Sequence, residues 1–451
     1  MLVASLSARA RGVPKYEKFK PRPTLRWVFV NGDLAKPSPF ESWPSLSNLF
    51  PVHYSGLNEN RYSAFITIER EDLEKRMRRY FDPRMNMEDL ARHVPGIDAK
   101  MAGYDPKETR KAVLAKQNFD PSRIVRLSYR PFDDWWTYWE GRFKLFNRPR
   151  PDFFAQLWPG NFFLSASQTA RKGGFNSPIV VNKFGDLHLQ DPWSQFFPLF
   201  LRITGEFGGD RVDPNLHPQT LEKLCQARKV EALDQDHHWS KTAMHVAETV
   251  FWHALAVFWS PAYCRENAAA LRQDWPRVPI PADPSVLDAS AKLGQSVSEL
   301  LIPDKPVLGV TTGNLRHEYR SLGVPSKIGN DPFDYKIDAG WGFRGQKNAV
   351  MCGKGKVVLS KTDPDGALDV YLNDRVYWAN VPADVWTLTI GGYPVLKKWL
   401  SYREFKVLGR PLREEEMTYF TEVVRRLKAL LLLSDDLDAN YRATSARTLE
   451  V

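Results

Sequence analysis

Residues 124–146 read IVRLSYRPFDDWWTYWEGRFKLF, a stretch in which aromatic side chains alternate with arginine and lysine. The combined density of these two residue types is highest here. Basic side chains attract phosphate, and aromatic rings interleaved with them are typical of nucleic-acid-binding surfaces. Tyr129, Phe132, Trp136 and Tyr138 are nevertheless residue types that more often belong to a core than stack on bases. The stretch therefore marks a mixed α/β region with a basic face.

Positive charge is concentrated in two parts of the chain. The formal net charge is +10. Residues 1–44 hold eight basic and three acidic residues, and residues 123–183 hold ten basic and four acidic residues. Because the charges of the remaining residues nearly cancel, the basic character is local, as expected of a surface that meets phosphate. An ordinary solvated basic face is the alternative.

Length, hydropathy and cysteine usage exclude several classes of protein. The 451 residues are too many for one ordinary domain, so we expect two or three. Apolar runs such as residues 430–433 are far shorter than the roughly 18 to 20 residues that span a bilayer, and residues 1–12 do not resemble a signal peptide. The three cysteines form no CxxC pair, which argues against a disulfide framework and a cysteine-rich zinc site. We expect a soluble cytoplasmic protein with no membrane partner.

Hydrophobic periodicity predicts an α+β fold, with mixed sheets and a buried helical subdomain. The predicted regions are a basic, proline-rich segment at 1–44, a mixed α/β domain with a basic hairpin at 45–235, a buried helical subdomain at 236–310, and a region of strands and one long helix at 311–451. The first segment contains one strand candidate, at 25–30. A lone strand cannot bury its faces, so we expect it to complete a sheet elsewhere in the chain or in another subunit.

Apolar spacing, caps and turn residues predict the individual elements. The predicted strands are 61–68, 161–167, 177–184, 356–361 and 367–372. The predicted helices are 69–80, 106–117, 242–259 with Ser240 as its N-cap, 262–273 and 414–433. Residues 168–174 read QTARKGG and form the basic tip of a hairpin. We interpret Gly173-Gly174 and Gly391-Gly392 as turns rather than phosphate-binding loops.

The sequence contains no recognisable catalytic motif. An amino-group methyltransferase needs a glycine-rich turn for its cofactor and a polar-Pro-Pro-aromatic loop for the flipped base. Residues 191–193 and 331–333 come closest, but each has one proline, and we interpret both as ordinary turns. His245 and His253 are two helical turns apart, about 12 Å, and we interpret them as core or boundary histidines. We therefore predict no catalytic, cofactor-binding or metal-binding residue in this chain.

Four long blocks of sequence carry a resemblance to a known family. They are Tyr129-Arg130-Pro131-Phe132-Asp133 with Arg148-Pro149-Arg150, residues 161–201, residues 248–279, and residues 381–404. In this order they resemble the C-terminal specificity region of type ISP restriction-modification enzymes and of their stand-alone methyltransferase relatives. The resemblance implies a target recognition module that holds a short asymmetric DNA site. A methylase domain then transfers a methyl group from S-adenosylmethionine to adenine N6.

Two departures limit what the resemblance implies. Trp135 stands where a basic residue is expected after Tyr-Arg-Pro-Phe-Asp, so we expect a different DNA contact there. The nuclease, helicase and catalytic methylase regions that such enzymes carry upstream have no counterpart in this sequence. The resemblance therefore implies that S-adenosylmethionine binds a methylase on a separate polypeptide, with or without helicase and nuclease regions, and that residues 1–44 are the tail of a methylase domain.

Nine residues are predicted to contact double-stranded DNA. Arg130, Arg142, Lys144, Arg148, Arg150, Arg171, Lys172 and Lys183 are predicted to neutralise phosphates, and Gln168 is predicted to contact a base edge. For each basic residue, an ordinary solvent-exposed charge is the alternative. Lys397, Lys398 and Arg403 are equally well explained as the flanks of a buried Trp399.

Three hypotheses about function follow. The leading one is the DNA-specificity component of an N6-adenine methyltransferase or restriction-modification system, without chemistry of its own. The second is an inactive, truncated remnant of such an enzyme. The third is an unrelated aromatic-rich enzyme or carbohydrate-binding protein, since 15 tryptophans and 16 tyrosines suit stacking on sugars.

Overall fold

The described part of the chain folds into several small sheets and sixteen α-helices. This arrangement confirms the predicted α+β class with mixed sheets. The strand predicted at 25–30 lies outside the described residues, and the division into four regions stays a prediction. The computed structural model describes residues 2–4, 16–18, 39–60, 63–100, 103–169, 174–204, 210–346, 349–363 and 366–450.

The first of three four-stranded sheets is called the central sheet below. Its strand order is Tyr54–Ser55, Gln195–Pro198, Phe163–Ala166 and Ile179–Val181, and all neighbours are antiparallel. Every residue of the last two strands is buried, which explains why their sequences are continuous apolar runs. Their pairing confirms the hairpin predicted between residues 161 and 184, with shorter strands than predicted.

The second sheet, called the aromatic sheet, contains most of the stretch 124–146. Its strand order is Ile66–Thr67, Asp133–Tyr138, Ile124–Arg130 and Phe184–Gly185, and only the last pair is parallel. The chain reverses at Phe132, whose φ is +57°. Phe132 and Tyr138 are buried in the core, and Trp135 is only 7% exposed. The aromatic rings of this stretch therefore serve mainly as core, as their residue types indicated.

The third sheet lies in the C-terminal part of the chain. Its strand order is Val324–Lys327, Val376–Pro382, Ala367–Tyr371 and Val357–Leu359, and all neighbours are antiparallel. The last two strands confirm the pair predicted at 356–361 and 367–372. Four two-stranded ribbons are Leu2–Ala4 with Tyr16–Lys18, Phe200–Thr204 with Asp210–Pro214, Gly342–Arg344 with Val350–Cys352, and Thr389–Ile390 with Tyr393–Pro394.

Two long helices form the helical core. The helix Lys241–Phe258 begins at Ser240, whose hydroxyl accepts a hydrogen bond from the Ala243 amide, and this confirms both the helix and its N-cap. It packs against Pro284–Leu301, which the periodicity analysis did not identify. At Gly294 an added Cβ would lie 1.8 Å from the carbonyl oxygen of Trp252. A glycine is therefore required where the two backbones cross.

Helices also close the C-terminal end of the chain. The helix Glu414–Leu432 confirms the prediction at 414–433 and is followed by Ser434–Ala446. The helix predicted at 262–273 forms as two short helices, Pro261–Glu266 and Ala268–Leu271. The guanidinium of Arg426 is buried and donates to the Glu299 and Ile302 carbonyl oxygens at 2.7 and 3.2 Å. These carbonyls lie at the C-terminal end of the helix Pro284–Leu301, where helical carbonyls lack partners within the helix.

Shorter helices complete the fold around the three sheets. No helix in the described ranges has the length and apolar character needed to cross a bilayer. The remaining helices are Leu46–Leu49, Arg70–Tyr80, Met87–His93, Pro106–Leu114, Pro151–Phe154, Pro218–Ala227, His317–Arg320, Ala383–Thr387, Val395–Arg403 and Phe405–Leu408, with short 3-10 helices at Pro39–Ser42 and Pro121–Arg123.

Candidate nucleic-acid interface

Strand register brings several loops to one end of the central sheet. Gln195 pairs with both Ala166 and Ser55, and Ile179 pairs with Ser165. The segments that follow residues 55 and 166 and those that precede residues 179 and 195 therefore leave the sheet at the same end. We call this surface the loop edge. It comprises residues 56–58, 148–150, 167–169, 174–178, 186–194 and 391–393.

The loops of the loop edge are fixed to one another by hydrogen bonds. The Asp191 amide donates to the Gly391 carbonyl at 2.8 Å, and the Asn176 side-chain amide donates to the Asp191 carbonyl at 3.2 Å. The Tyr393 hydroxyl donates to the His188 carbonyl at 3.1 Å. Gly391 has a φ of +60°, which confirms the turn predicted there. The loop edge is therefore a built surface rather than a set of independent loops.

Trp193 is the most conspicuous side chain of the loop edge. It is 60% exposed, although the indole ring is usually largely buried in folded proteins. The backbone beneath it is held in place, because the Ser167 hydroxyl donates to the Trp193 carbonyl at 2.9 Å. Sequence reasoning interpreted residues 191–193 as an ordinary turn and missed this residue. An exposed, anchored tryptophan is a residue type that stabilises binding interfaces.

Two neighbouring arginines lie beside this tryptophan-bearing loop system. Arg148 is exposed and its backbone pairs with Asn58, while Arg150 Nε donates to the Gly56 carbonyl at 3.2 Å. Burial, and next the positive charge of Arg148, lower the pKa of Arg150. Neither arginine forms a salt bridge within the described residues. Two adjacent guanidinium groups without a carboxylate are an arrangement that favours a bound anion such as phosphate.

The other residues predicted to contact DNA differ in their exposure and in their partners within the protein. Arg142 and Lys144 are exposed on the segment that leads to Arg148. Gln168 lies at the loop edge, but its side-chain amide donates to Asp274 Oδ1 at 2.9 Å. A bidentate contact from Gln168 to a base would have to compete with that hydrogen bond. Arg171 and Lys172 lie outside the described residues.

Two of the predicted phosphate contacts are instead paired within the protein. Arg130 forms an ion pair with Asp186 at 2.8 Å, and its guanidinium lies 4.0 Å from the ring centroid of Tyr129. Lys183 pairs with Asp134 at 2.9 Å and also with Asp304. The structure therefore pairs Arg130 and Lys183 with carboxylates of the protein, whereas Arg142, Lys144 and Arg148 are exposed. Their contact with DNA stays a prediction.

A cleft of about 810 Å³ opens next to the loop edge, and His188, Asp191 and Tyr393 line both. We call it the aromatic cleft. It lies between the aromatic sheet and the helix Val395–Arg403, and Tyr129, Trp135, Tyr393 and Tyr402 contribute to its wall. The Tyr129 and Trp135 rings stack with centroids 4.0 Å apart, and Tyr402 meets Trp135 edge-on at 4.9 Å.

Lys398 stands in the aromatic cleft with few polar neighbours. Its Nζ donates to the Val350 carbonyl at 2.7 Å and lies 4.4 Å from the ring centroid of Tyr402. The pKa of Lys398 is lowered to about 8, mainly by burial and to a smaller extent by the nearby Arg130, against opposing effects of Cys352 and Asp133. The alternative given for Lys398, a simple flank of Trp399, therefore does not describe its surroundings.

The described residues offer no assembled centre for metal-dependent chemistry, because no group of three histidine, cysteine or acidic side chains is close enough to hold an ion. His253 is buried and bonds through Nδ1 to the Ser290 hydroxyl at 2.7 Å and through Nε2 to the Pro279 carbonyl at 2.8 Å. This confirms its interpretation as a core histidine. The basic side chains of the loop edge and the rings of the aromatic cleft are instead suited to binding an anionic, partly aromatic ligand.

One family model matches the chain. Residues 48–424 match the model described as the Type ISP C-terminal specificity domain. No curated protein matches the sequence. The matched range includes the central sheet, the aromatic sheet, the loop edge and both long core helices.

Solved structures with a similar fold cover most of this chain. A nuclease-deletion mutant of the Type ISP restriction-modification enzyme LlaGI in complex with a DNA substrate mimic has a TM-score of 0.56. The ATP-dependent Type ISP restriction-modification enzyme LlaBIII bound to DNA has 0.60, and a DrdV–DNA complex has 0.57. Each is 15% identical to this chain and covers 94% of it, whereas the chain covers only 36%, 25% and 40% of theirs.

Proposed function

This chain belongs to the Type ISP C-terminal specificity domain family, and from that premise we propose that it recognises a DNA target on behalf of a methylase. The three enzymes that share its fold are described with DNA or a DNA mimic. The chain spans less than half of each of them, so their activities apply here only as a proposal. In this proposal the chain binds the duplex and recognises the target sequence.

The observation that carries the proposal is the composition of the loop edge. Arg148 and Arg150 stand together without a carboxylate partner in the described part of the chain, next to loops that present Trp193. Contacts to phosphate supply affinity and register on DNA, and a few side chains that reach the groove supply specificity. Gln168 lies at the same end of the sheet, and we propose that Arg171 and Lys172 of the predicted hairpin tip add further phosphate contacts.

The reactive step belongs, in this proposal, to a separate methylase that binds S-adenosylmethionine, in the same cytoplasmic compartment. Methylation of adenine N6 requires the base to leave the duplex, at a cost of a few kcal/mol of stacking and pairing. A recognition module that holds the duplex on either side of the extruded base offsets that cost. Residues 1–44 are proposed to dock on the methylase.

A salt-titrated binding assay on random-sequence duplex tests the proposal. We expect affinity to fall steeply with salt, and an Arg148→Ala/Arg150→Ala variant to reduce the slope of log K against log salt by about one to two units. The same change is expected for Arg171→Ala/Lys172→Ala. Arg84→Ala/Arg92→Ala is the matched control, because it removes two exposed charges that the structure pairs with carboxylates, Arg84 in a turn and Arg92 on a helix.

Two results would contradict the proposal. One is a protein that ignores duplex DNA at low ionic strength even when its methylase partner is supplied. The other is methylation of adenine by this chain alone. Salt-insensitive binding to an oligosaccharide, with no DNA binding, would favour the carbohydrate-binding alternative instead.

A further inference from the structure

The aromatic cleft has the dimensions and wall of a small-ligand site. Its volume of about 810 Å³ lies within the range of roughly 300 to 1,000 Å³ that is usual for pockets holding small molecules. The Trp135 and Tyr402 rings are 7% and 4% exposed and meet each other at an interplanar angle of 79°, so they form a packed part of the wall. A planar, aromatic ligand group can pack against the ring of Tyr393, which is half-buried and also lines the cleft.

The charge inside the aromatic cleft favours an anion. Five basic side chains and three carboxylates line it, so the balance is positive. Glu69 bonds to Arg410, Asp72 bonds to Arg76, and Arg130 bonds to Asp186 behind the wall. Lys398 is a lining cation that has no carboxylate pair among the described residues. The ammonium group of Lys398 has one carbonyl partner and an aromatic face. An anionic ligand would replace solvation that this ammonium group lost on folding.

The position of the aromatic cleft ties it to DNA. Its wall and the loop edge share His188, Asp191 and Tyr393, so a nucleotide that leaves a duplex bound at the loop edge needs to travel only a short distance. The hydrogen bonds that fix the loop edge also fix the mouth of the cleft, because Tyr393 is joined to the His188 carbonyl.

We propose that the aromatic cleft binds a single unstacked nucleotide, with its base against Tyr393 and its phosphate near Lys398. This inference rests on the proposed function in one respect only, which is that DNA at the loop edge is one source of such a nucleotide. A free mononucleotide has the same chemistry and is the other source. The structure assigns the chemistry of the ligand, and the experiment distinguishes its source.

Lysine labelling tests the site without any substitution. The wild-type protein is acetylated at pH 8 with an amine-reactive ester in the presence and absence of deoxyadenosine monophosphate, and each modified lysine is quantified by mass spectrometry. We expect the nucleotide to slow the labelling of Lys398 by about tenfold. Lys397, which is adjacent in sequence and does not line the cleft, is the internal control. Equal labelling of Lys398 with and without millimolar nucleotide would overturn the proposal.

Duplex binding then identifies the source of the nucleotide. Intact duplex and the same duplex with a one-nucleotide bulge are compared for wild type, Lys398→Met and Lys397→Met. If DNA supplies the nucleotide, wild type and Lys397→Met bind the bulged duplex about tenfold more tightly than the intact one, and Lys398→Met loses the preference. If the mononucleotide protects Lys398 from labelling but wild type and Lys397→Met bind both duplexes equally tightly, the ligand is a free mononucleotide.

The two proposals fail in distinguishable ways. Intact duplex that binds with a steep salt dependence supports the proposed function whatever happens at Lys398. Protection of Lys398 by mononucleotide, with no binding of either duplex, supports the cleft and contradicts the proposed function. Lys398→Arg, which keeps the charge, is expected to restore part of the preference for the bulged duplex that Lys398→Met loses. Because labelling is done on the wild-type protein, a failure of Lys398→Met to fold leaves the labelling result unaffected.

Discussion

A buried ion pair that joins the aromatic sheet to the helix Val395–Arg403 is expected to contribute strongly to stability. Arg403 donates from Nη2 to Asp133 Oδ1 at 2.9 Å and from Nη1 to Asp133 Oδ2 at 3.1 Å. The two side chains are 6% and 2% exposed. Arg403→Met leaves the Asp133 carboxylate buried without its cation, and we expect a loss of about 3 to 5 kcal/mol in the free energy of unfolding.

The double variant separates the pair from the packing around it. Asp133→Leu/Arg403→Met removes both charges, so no ion is left without a partner, and we expect it to be more stable than Arg403→Met alone. Arg92→Met is the control, because Arg92 is 66% exposed in its pairs with Glu88 and Asp89, and such pairs contribute about 0 to 1 kcal/mol.

Urea unfolding followed by circular dichroism measures all four proteins. The midpoint and the slope of the transition are both needed, since only a midpoint shift at constant slope reports a change in stability. A loss for Arg403→Met no larger than that for Arg92→Met would refute the reasoning. So would a double variant that is less stable than Arg403→Met. Because Lys398 lies on the same helix as Arg403, the labelling of Lys398 is a second readout of whether the wall of the aromatic cleft stays intact.

Three further predictions concern the core and the loop edge. Burial lowers the pKa of His253 to about 4, so the unfolded chain takes up a proton first as pH falls. Wild type should therefore lose about 3 kcal/mol between roughly pH 6.5 and pH 4 relative to His253→Gln, measured by urea unfolding at each pH. Gly294→Ala should lower the free energy of unfolding by about 1 to 3 kcal/mol, because the Cβ of the alanine would overlap the Trp252 carbonyl. A lower melting temperature is the measurement. Trp193→Ala should leave the melting temperature unchanged and weaken duplex binding roughly tenfold; unchanged affinity would remove Trp193 from the interface.

Periodic segments of the fold were predictable because local pattern and tertiary burial agree there. The helices Lys241–Phe258 and Glu414–Leu432 lie within a residue or two of their predicted bounds. Pro284–Leu301 was missed because small and polar residues such as Ser290 and Gly294 occupy its buried face. Those residues are buried for reasons outside the helix itself: Ser290 bonds to His253, and Gly294 allows the close crossing.

The candidate site was predictable only in part, because exposure is set by contacts that are distant in sequence. Charge clustering led to Arg148, which is exposed at the loop edge and whose contact with DNA stays a prediction. It could not show that Lys183 meets Asp304, a carboxylate more than a hundred positions away. The exposure of Trp193 and the surroundings of Lys398 also depend on how segments distant in sequence meet, as residues 188–191 and 391–393 do. In the sequence, Trp193 is marked only by the turn Asp191-Pro192-Trp193, and Lys398 only by the pair Lys397-Lys398.

The position of Arg130 changes how a loss of DNA binding should be interpreted. Asp186 Oδ1 accepts hydrogen bonds from both Arg130 Nη1 and the His188 amide, at 2.8 and 2.9 Å. Arg130 therefore holds the start of the loop that carries Trp193. An Arg130 variant that binds DNA weakly is consistent with a lost phosphate contact and equally with a displaced loop. The salt slope separates them, because a lost phosphate contact flattens it by about one unit, whereas a displaced loop lowers affinity at every salt concentration and lowers the melting temperature as well.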